Sequence, residues 1–336
     1  MGYKKHIKYF TNKLLKPFGY EISTIFNFLK PQKNSMFHQF CELPQGAEEY
    51  LQPSHPRLKE LVEKYSLCSD KVTRPTLWTD MHIKKNDIIY FRGDNAYVWQ
   101  LRGKNMNFMS YLLTTYYVKS IDTLTLLDTL KEDNYFGNIT LTIDNKTISR
   151  DLLDSIIEIY FLEKNLKISS CNNLNILDIG AGYGRLAHRM ASALPNINTY
   201  FCTDAVAVST FLSEYYLRIR NLEQKTKVIP LDEIETTLKT QKIDIAINIH
   251  SFSECSISSI EWWLSLLKEN RIRYLMIVPN SLDNGGKLLE TNDGNNFQKV
   301  IEKHGYELIA KEPKYRDESI QKLAINPTYH YLFEMR

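Results

Sequence analysis

Residues 176–184 read Ile176-Leu177-Asp178-Ile179-Gly180-Ala181-Gly182-Tyr183-Gly184, an apolar run leading into an acid and three alternating glycines, and residues 185–190 continue at helical spacing. Strand, glycine turn and helix in direct succession make a place for a nucleotide-like ligand. Glycine permits backbone torsions and a closeness of approach that a Cβ would block, and the following helix opens with unpaired N–H groups. Three glycines in five positions also cost conformational entropy, which argues against a turn that only packs.

Outward from this turn the pattern is regular. Ser149 is placed to cap a helix running through Asp154, Ile157 and Phe161, and 175–179 supplies the first core strand. Helices at 185–194, 206–220, 233–240 and 257–270 then alternate with strands at 198–203, 226–231, 243–249 and 272–278. Such alternation predicts a parallel sheet with helices on both faces. The end differs: a helix at 296–304 stops at Gly305, and strand-like runs at 306–311 and 329–335 predict a hairpin closing one sheet edge.

The first half is less periodic. Residues 31–54, with Pro44, Gly46 and Pro53, read as a linker before a short amphipathic helix at 57–65. An aromatic segment at 88–100 reads as two β-prone runs around the turn Gly93-Asp94-Asn95, followed by helix over 106–132 and a hairpin at 139–148 around Asp144-Asn145-Lys146. Three regions follow: a basic helical segment (1–33), a mixed α+β cap that meets substrate (34–148) and the α/β domain (149–336).

With 336 residues and 43% hydrophobic content the chain has ample material for a core. Its five cysteines are scattered without a Cys-x-x-Cys pair, which favours a reducing compartment over a zinc or disulfide framework. No stretch reaches the roughly 20 apolar residues of a membrane span, so a cytoplasmic protein is expected. The net charge of +3 is unevenly spread: residues 1–33 hold seven lysines against Glu21 alone, which leaves the rest net acidic and argues against a nucleic-acid partner. Ile7, Phe10, Leu14 and Leu15 fall at helical spacing among those lysines. That segment reads either as a helix lying on an anionic membrane surface or a partner, or as one packing on its own domain.

Two cofactor classes suit the turn. Gly182, Gly184 and Ala187 formally meet the nicotinamide fingerprint, with Asp204 at the ribose-binding distance. Asp178 favours S-adenosylmethionine (SAM) instead, since a carboxylate two residues before the first glycine repels a pyrophosphate but suits a sulfonium with an ammonium group. The terminal pair of strands points the same way.

The turn through Met190, the stretch Cys202-Thr203-Asp204-Ala205 and the stretch from Asn248 to Cys255 together resemble the class I SAM-dependent methyltransferases, a Rossmann-like, mostly parallel sheet with a terminal antiparallel hairpin. With residues 43–51 and 90–100 added, the chain is similar to bacterial sugar O-methyltransferases. The resemblance implies that Gly180, Ala181, Gly182, Tyr183 and Gly184 cradle the methionine part and that Asp204, beside Ala205, holds the ribose. It also implies that Asp232 or Glu233 sits near the adenine and that Arg150 or Arg185 pairs with the cofactor carboxylate.

In an open parallel sheet, chemistry sits beyond the carboxyl ends of the strands. The fourth strand of the α/β half ends there in Asn248, His250, Ser251, Ser253 and Glu254, and lacks the Asn-Pro-Pro-Tyr-like residues of amine and nucleobase methyltransferases. An oxygen acceptor therefore fits better. A sugar hydroxyl needs a base, for which His250 is the candidate with Glu254 to orient it or to bind sugar hydroxyls, while Asn280 adds a polar contact. A magnesium-assisted version would draw on Glu254 and Asp283, whose spacing is not diagnostic, so no metal is assigned. Arg92, Asp94, Asn95 and Tyr97 are expected to meet the sugar from the cap, with Trp99 in the core. The alternatives are a nicotinamide-dependent oxidoreductase and a non-catalytic docking module on the same fold.

Overall fold

The computed structural model describes residues 37, 41–68, 88–94, 100–101, 105–280 and 284–336. The basic segment 1–33, Asn95, Tyr97, Trp99 and Asp283 lie outside the described residues.

Among the described residues the first half contributes four helices, α1 (Ala47–Tyr50), α2 (Pro56–Ser66), α3 (Phe108–Ile121) and α4 (Leu126–Thr129), and a hairpin of β1 (Leu141–Ile143) with β2 (Lys146–Ile148). Ile88 and Ile89 are helical and 90–94 form turns, so the described part of the aromatic segment is not strand. Its tyrosines and isoleucines suit buried packing as well as pleating, and propensity alone does not separate the two. The predicted helix over 106–132 is broken at Asp122, whose carboxylate accepts from the amides of Leu126 and Leu127 and starts α4.

The second half runs α5 (Arg150–Leu166), β3 (Leu174–Ile179), α6 (Arg185–Ala193), β4 (Ile197–Thr203), α7 (Ala207–Ile219), β5 (Thr226–Val228), α8 (Ile234–Thr240), β6 (Ile245–Ile249), α9 (Ile257–Glu269), β7 (Tyr274–Val278), α10 (Gln298–Lys303), β8 (Tyr306–Pro313), α11 (Glu318–Leu323) and β9 (Tyr329–Met335). One seven-stranded sheet has the order β5-β4-β3-β6-β7-β9-β8. Its first five strands are parallel, while β9 runs antiparallel to both β7 and β8. The last strand of the chain is thus inserted inside the edge, and α11 occupies the connection between the closing pair.

Chain direction switches between β3 and β6, which opens a crevice beyond their carboxyl ends. Over that crevice lies α5, whose residues 151–162 are all buried, between the sheet and the first half. A helix buried on all sides reads as apolar all round, and this one departs from that only at Asp151, Asp154, Ser155 and Glu158. Ser149 caps it by accepting from Leu152 N, as its sequence position predicts. The two halves share one continuous hydrophobic core. On the far side α2 docks on α7 through the Arg57–Glu214 pair at 2.6 Å and through Tyr65, whose hydroxyl lies 2.8 Å from Thr210 Oγ1.

Candidate active site

The glycines of the turn answer to three different constraints, all with positive φ. A Cβ on Gly180 would lie 2.2 Å from Ser251 Oγ, and one on Gly184 would lie 3.1 Å from Ser213 Oγ, against α7. At Gly182 a Cβ would meet nothing within 4 Å, because that face opens into a cavity of about 200 Å³. Most of the turn's amides are already engaged: Gly180 N and Ala181 N donate to Thr203 O, Gly182 N to Asp204 Oδ2, and Gly184 N to Ala181 O. The turn therefore offers a cofactor shape rather than a row of free donors. The amides that a helix leaves unpaired are those of the first turn of α6.

The cavity is lined by Arg150, Asp151, Asp154, Asp178, the turn, Arg185, Asp204, Ala205, Val206, His250, Ser251, Glu254, Cys255 and Trp263, among others. Five of these are carboxylates and two are arginines, so the hollow is acidic. Asp178 at the end of β3 is 3% exposed, and Tyr200 donates to its Oδ2 at 3.0 Å. Burial raises its pKa to about 7 against the opposing pull of that hydroxyl. Burial likewise brings Asp204 to about 7, although the amides of Val206 and Gly182 stabilise its charge at 2.8 and 3.0 Å. Two half-ionised carboxylates beside an open glycine face suit a cationic nucleoside better than a pyrophosphate.

The two arginines differ. Arg185 forks onto Glu158 at 2.8 and 3.0 Å and donates to Ser155 Oγ at 2.8 Å, a nearly closed set of bonds. Arg150, at the start of α5, donates from Nε to Asp154 Oδ2 at 3.2 Å, and both arginines line the cavity.

His250 directly follows β6 with φ 68°, an unusual torsion for a side-chain-bearing residue, which points to a functional constraint. Its amide is tied to Val278 O at 2.7 Å, and its imidazole has no hydrogen-bond partner among the described residues. Burial, then the positive charges of Arg150 and Arg185, lowers its pKa to about 3. Glu254 accepts from Asn280 Nδ2 at 2.9 Å and lines the same cavity.

Several expected contacts are redistributed. Arg92 is not a sugar ligand: it is fully buried and paired with Glu132 at 2.8 Å and Asp133 at 2.7 Å, a cluster that Arg189 of α6 and Arg220, the C-cap of α7, complete. Asp94 does not line the cavity and instead accepts from the amides of Gln100 and Leu101 at 2.9 and 3.3 Å, closing its own loop. Asn248 is a latch, donating to Ile179 O at 2.9 Å and to Ser251 Oγ while its Oδ1 accepts from Phe252 N. Ser251 reaches the cavity, but its hydroxyl is occupied by that latch and by Ile179 O. Ser253 is buried behind Asn280, whose amide it accepts at 3.2 Å. Asp232, on the short helix after β5, lies outside the cavity, 3.8 Å from Lys64 Nζ. Each is a polar residue near a loop that the fold spends on backbone N–H and C=O groups.

The sequence reading missed Asp151, Asp154 and Glu158, one stripe along the buried α5. Asp154 is paired with the buried Lys314 at 2.6 Å, and the charges around it hold its carboxyl far below the usual range although burial opposes them. Acids at i, i+3 and i+7 in an otherwise apolar helix were the available signal. Among the described residues no group of three or more His, Cys, Asp or Glu side chains is arranged to hold a metal ion. No helix of these residues is long and apolar enough to cross a membrane.

The sheet order, with an antiparallel strand inserted beside β7, departs from the all-parallel dinucleotide fold. Together with the acidic, glycine-lined crevice it defines the class: the chain has the class I SAM-dependent methyltransferase fold, and SAM is the cofactor of that class. No family model matches the sequence. The release factor glutamine methyltransferase of Flavobacterium psychrophilum is 28% identical over 194 residues, 53% of this chain and 67% of that protein. Among solved structures, a SAM dependent methyltransferase from Aquifex aeolicus has a TM-score of 0.40 at 15% identity, covering 52% of this chain and 89% of the other. Magnesium protoporphyrin IX methyltransferase from Synechocystis PCC 6803, with bound SAM, has a TM-score of 0.37 at 13% identity, covering 55% and 77%.

Proposed function

We propose that the protein is a SAM-dependent O-methyltransferase whose acceptor is a sugar hydroxyl, free, nucleotide-linked or within a glycan or glycosylated metabolite. The observation that carries this reading is the pairing across one cavity of an open glycine face with Asp178 and Asp204 on one side and the unpartnered imidazole of His250 on the other. When bound, SAM supplies an electrophilic methyl group. Asp204 would hold the ribose hydroxyls, Asp178 would favour positive charge, and Arg150 or Arg185 would take the carboxylate.

His250 would accept the acceptor's hydroxyl proton. With a pKa of about 3 the free imidazole stays neutral at pH 7 but is a weak base. Burial is the largest cause of that low value and the charges of Arg150 and Arg185 come second, so a carboxylate paired with either arginine would offset only the smaller part. Glu254, which accepts from Asn280 Nδ2 and lines the same cavity, would bind sugar hydroxyls.

The glutamine acceptor named for the Flavobacterium relative makes amide N-methylation the competing reading. Against it stands the sequence at the end of β6, where Asn248-Ile249-His250-Ser251 replaces an Asn-Pro-Pro-Tyr-like clamp and Asn248 is consumed by the latch. The test is methyl transfer from labelled SAM to a panel of sugars and nucleotide sugars beside a glutamine-containing peptide, with His250→Gln in parallel. The reading expects label on a sugar oxygen and kcat about a hundredfold lower in His250→Gln. Label on the peptide amide alone would overturn it.

A further inference from the structure

Resting on the SAM reading, we infer that Asp151 is a positioning residue that sets the glycine turn through Tyr183 and ties its geometry to the cap through Gln100. Tyr183 stands between the second and third glycines, yet its ring is only 4% exposed. The ring is wedged against Tyr216 at 5.1 Å and Phe91 at 5.2 Å, and its hydroxyl donates to Asp151 Oδ2. Because Gly182 and Gly184 carry no side chains, Tyr183 is the handle by which the surroundings grip this part of the turn.

Asp151, in the first turn of α5, is 2% exposed. Its Oδ1 accepts from Gln100 Nε2 at 3.3 Å, and Arg92 Nε lies 3.7 Å from Oδ2 without a hydrogen bond of its own. Gln100 is fully buried, does not line the cavity, and also donates to Arg92 O at 3.1 Å and Asn138 Oδ1 at 3.3 Å. A continuous polar chain therefore runs from the cap, Gln100 to Asp151 to Tyr183, into the backbone that faces the cofactor. Buried chains of this kind over-determine geometry, since any member left unpaired bears a desolvation penalty. The open face at Gly182 has a φ of 58°, which glycine adopts without strain but does not by itself fix, and the grip on Tyr183 adds to the Gly182 N–Asp204 bond in holding it.

The experiment compares wild type, Tyr183→Phe, which keeps the ring packing, and Gln100→Leu, which alters the chain away from the cavity. Two readouts are taken: amide hydrogen exchange across residues 180–184 in the free protein, and the Kd for S-adenosylhomocysteine by calorimetry. The inference expects exchange in the turn to rise at least fivefold in both variants, Kd to rise about tenfold in Tyr183→Phe and about threefold in Gln100→Leu, and exchange in β7 to stay unchanged. Turn exchange and Kd within twofold of wild type in both variants would overturn it, as would a uniform rise in exchange over the whole sheet, the mark of a merely structural role. Wild type that fails to bind the homocysteine ligand would instead overturn the SAM reading, while the exchange measurement would still decide the anchor.

Discussion

At the residue scale the site turns on carboxylates that burial keeps from ionising fully. Asp178 and Asp204 both have pKa values of about 7, above the ordinary aspartate value, so the unliganded folded state holds protons that the unfolded chain has released between about pH 4 and 7. Their contribution to stability is accordingly present at low pH and lost as pH rises through 7. A ligand that sets an ammonium or hydrogen-bond donors against these carboxylates reverses the preference by favouring the ionised form. Binding of S-adenosylhomocysteine, whose ammonium remains positive, is expected to tighten up to about tenfold per carboxylate between pH 6 and 8. Calorimetry across that range checks it, and Asp178→Asn should flatten one such step. A Kd independent of pH in wild type would mean that the ligand's charge does not meet Asp178.

At the scale of elements, the β3 turn and the end of β6 act as one unit. Gly180 lets Ser251 and Asn248 bond to the last carbonyl of β3, and a Cβ at 180 would press on the Ser251 side chain at 2.2 Å from a backbone with φ 75°. Gly180→Ala is expected to weaken S-adenosylhomocysteine binding at least thirtyfold, read by calorimetry, with the secondary structure retained by circular dichroism. The cap presents the opposite case, a charge cluster that holds elements together and touches no ligand. Glu132 is buried between Arg92 and Arg189; desolvation raises its pKa, but those arginines and Ser149 outweigh it and bring it to about 2. Its stabilisation is present above the usual glutamate pKa and lost as pH falls toward 2. Arg92→Met leaves Glu132 to Arg189 and Asp133 to Arg220, one arginine short in a buried cluster, and should cost about 3–5 kcal/mol in urea unfolding. A KM change with unchanged stability would restore Arg92 to the sugar site.

At the scale of the whole molecule, the α/β half was legible because its elements carry strong local signals: buried strands between amphipathic helices, Ser149 as a cap, glycines where φ is positive. Residues 329–335 form β9 as expected, whereas its insertion between β7 and β8 is a long-range pairing that local sequence does not encode. The site was half legible. Asp178, Asp204, Arg150 and His250 meet in one cavity because they follow strand ends or open the helix above them. Arg92, Asp94, Asn248 and Ser253 did not, because polarity in a sequence does not reveal whether a partner is a ligand or the protein's own backbone.

The central claim is that this crevice binds a SAM-type cofactor through Asp204. Its most direct test is calorimetric titration of the purified protein with S-adenosylhomocysteine and, separately, with NADH and NADPH, repeated on Asp204→Ala. The account predicts binding of S-adenosylhomocysteine alone, weakened at least tenfold by the substitution. Binding of a dinucleotide instead, or homocysteine-ligand binding indifferent to Asp204, would contradict it.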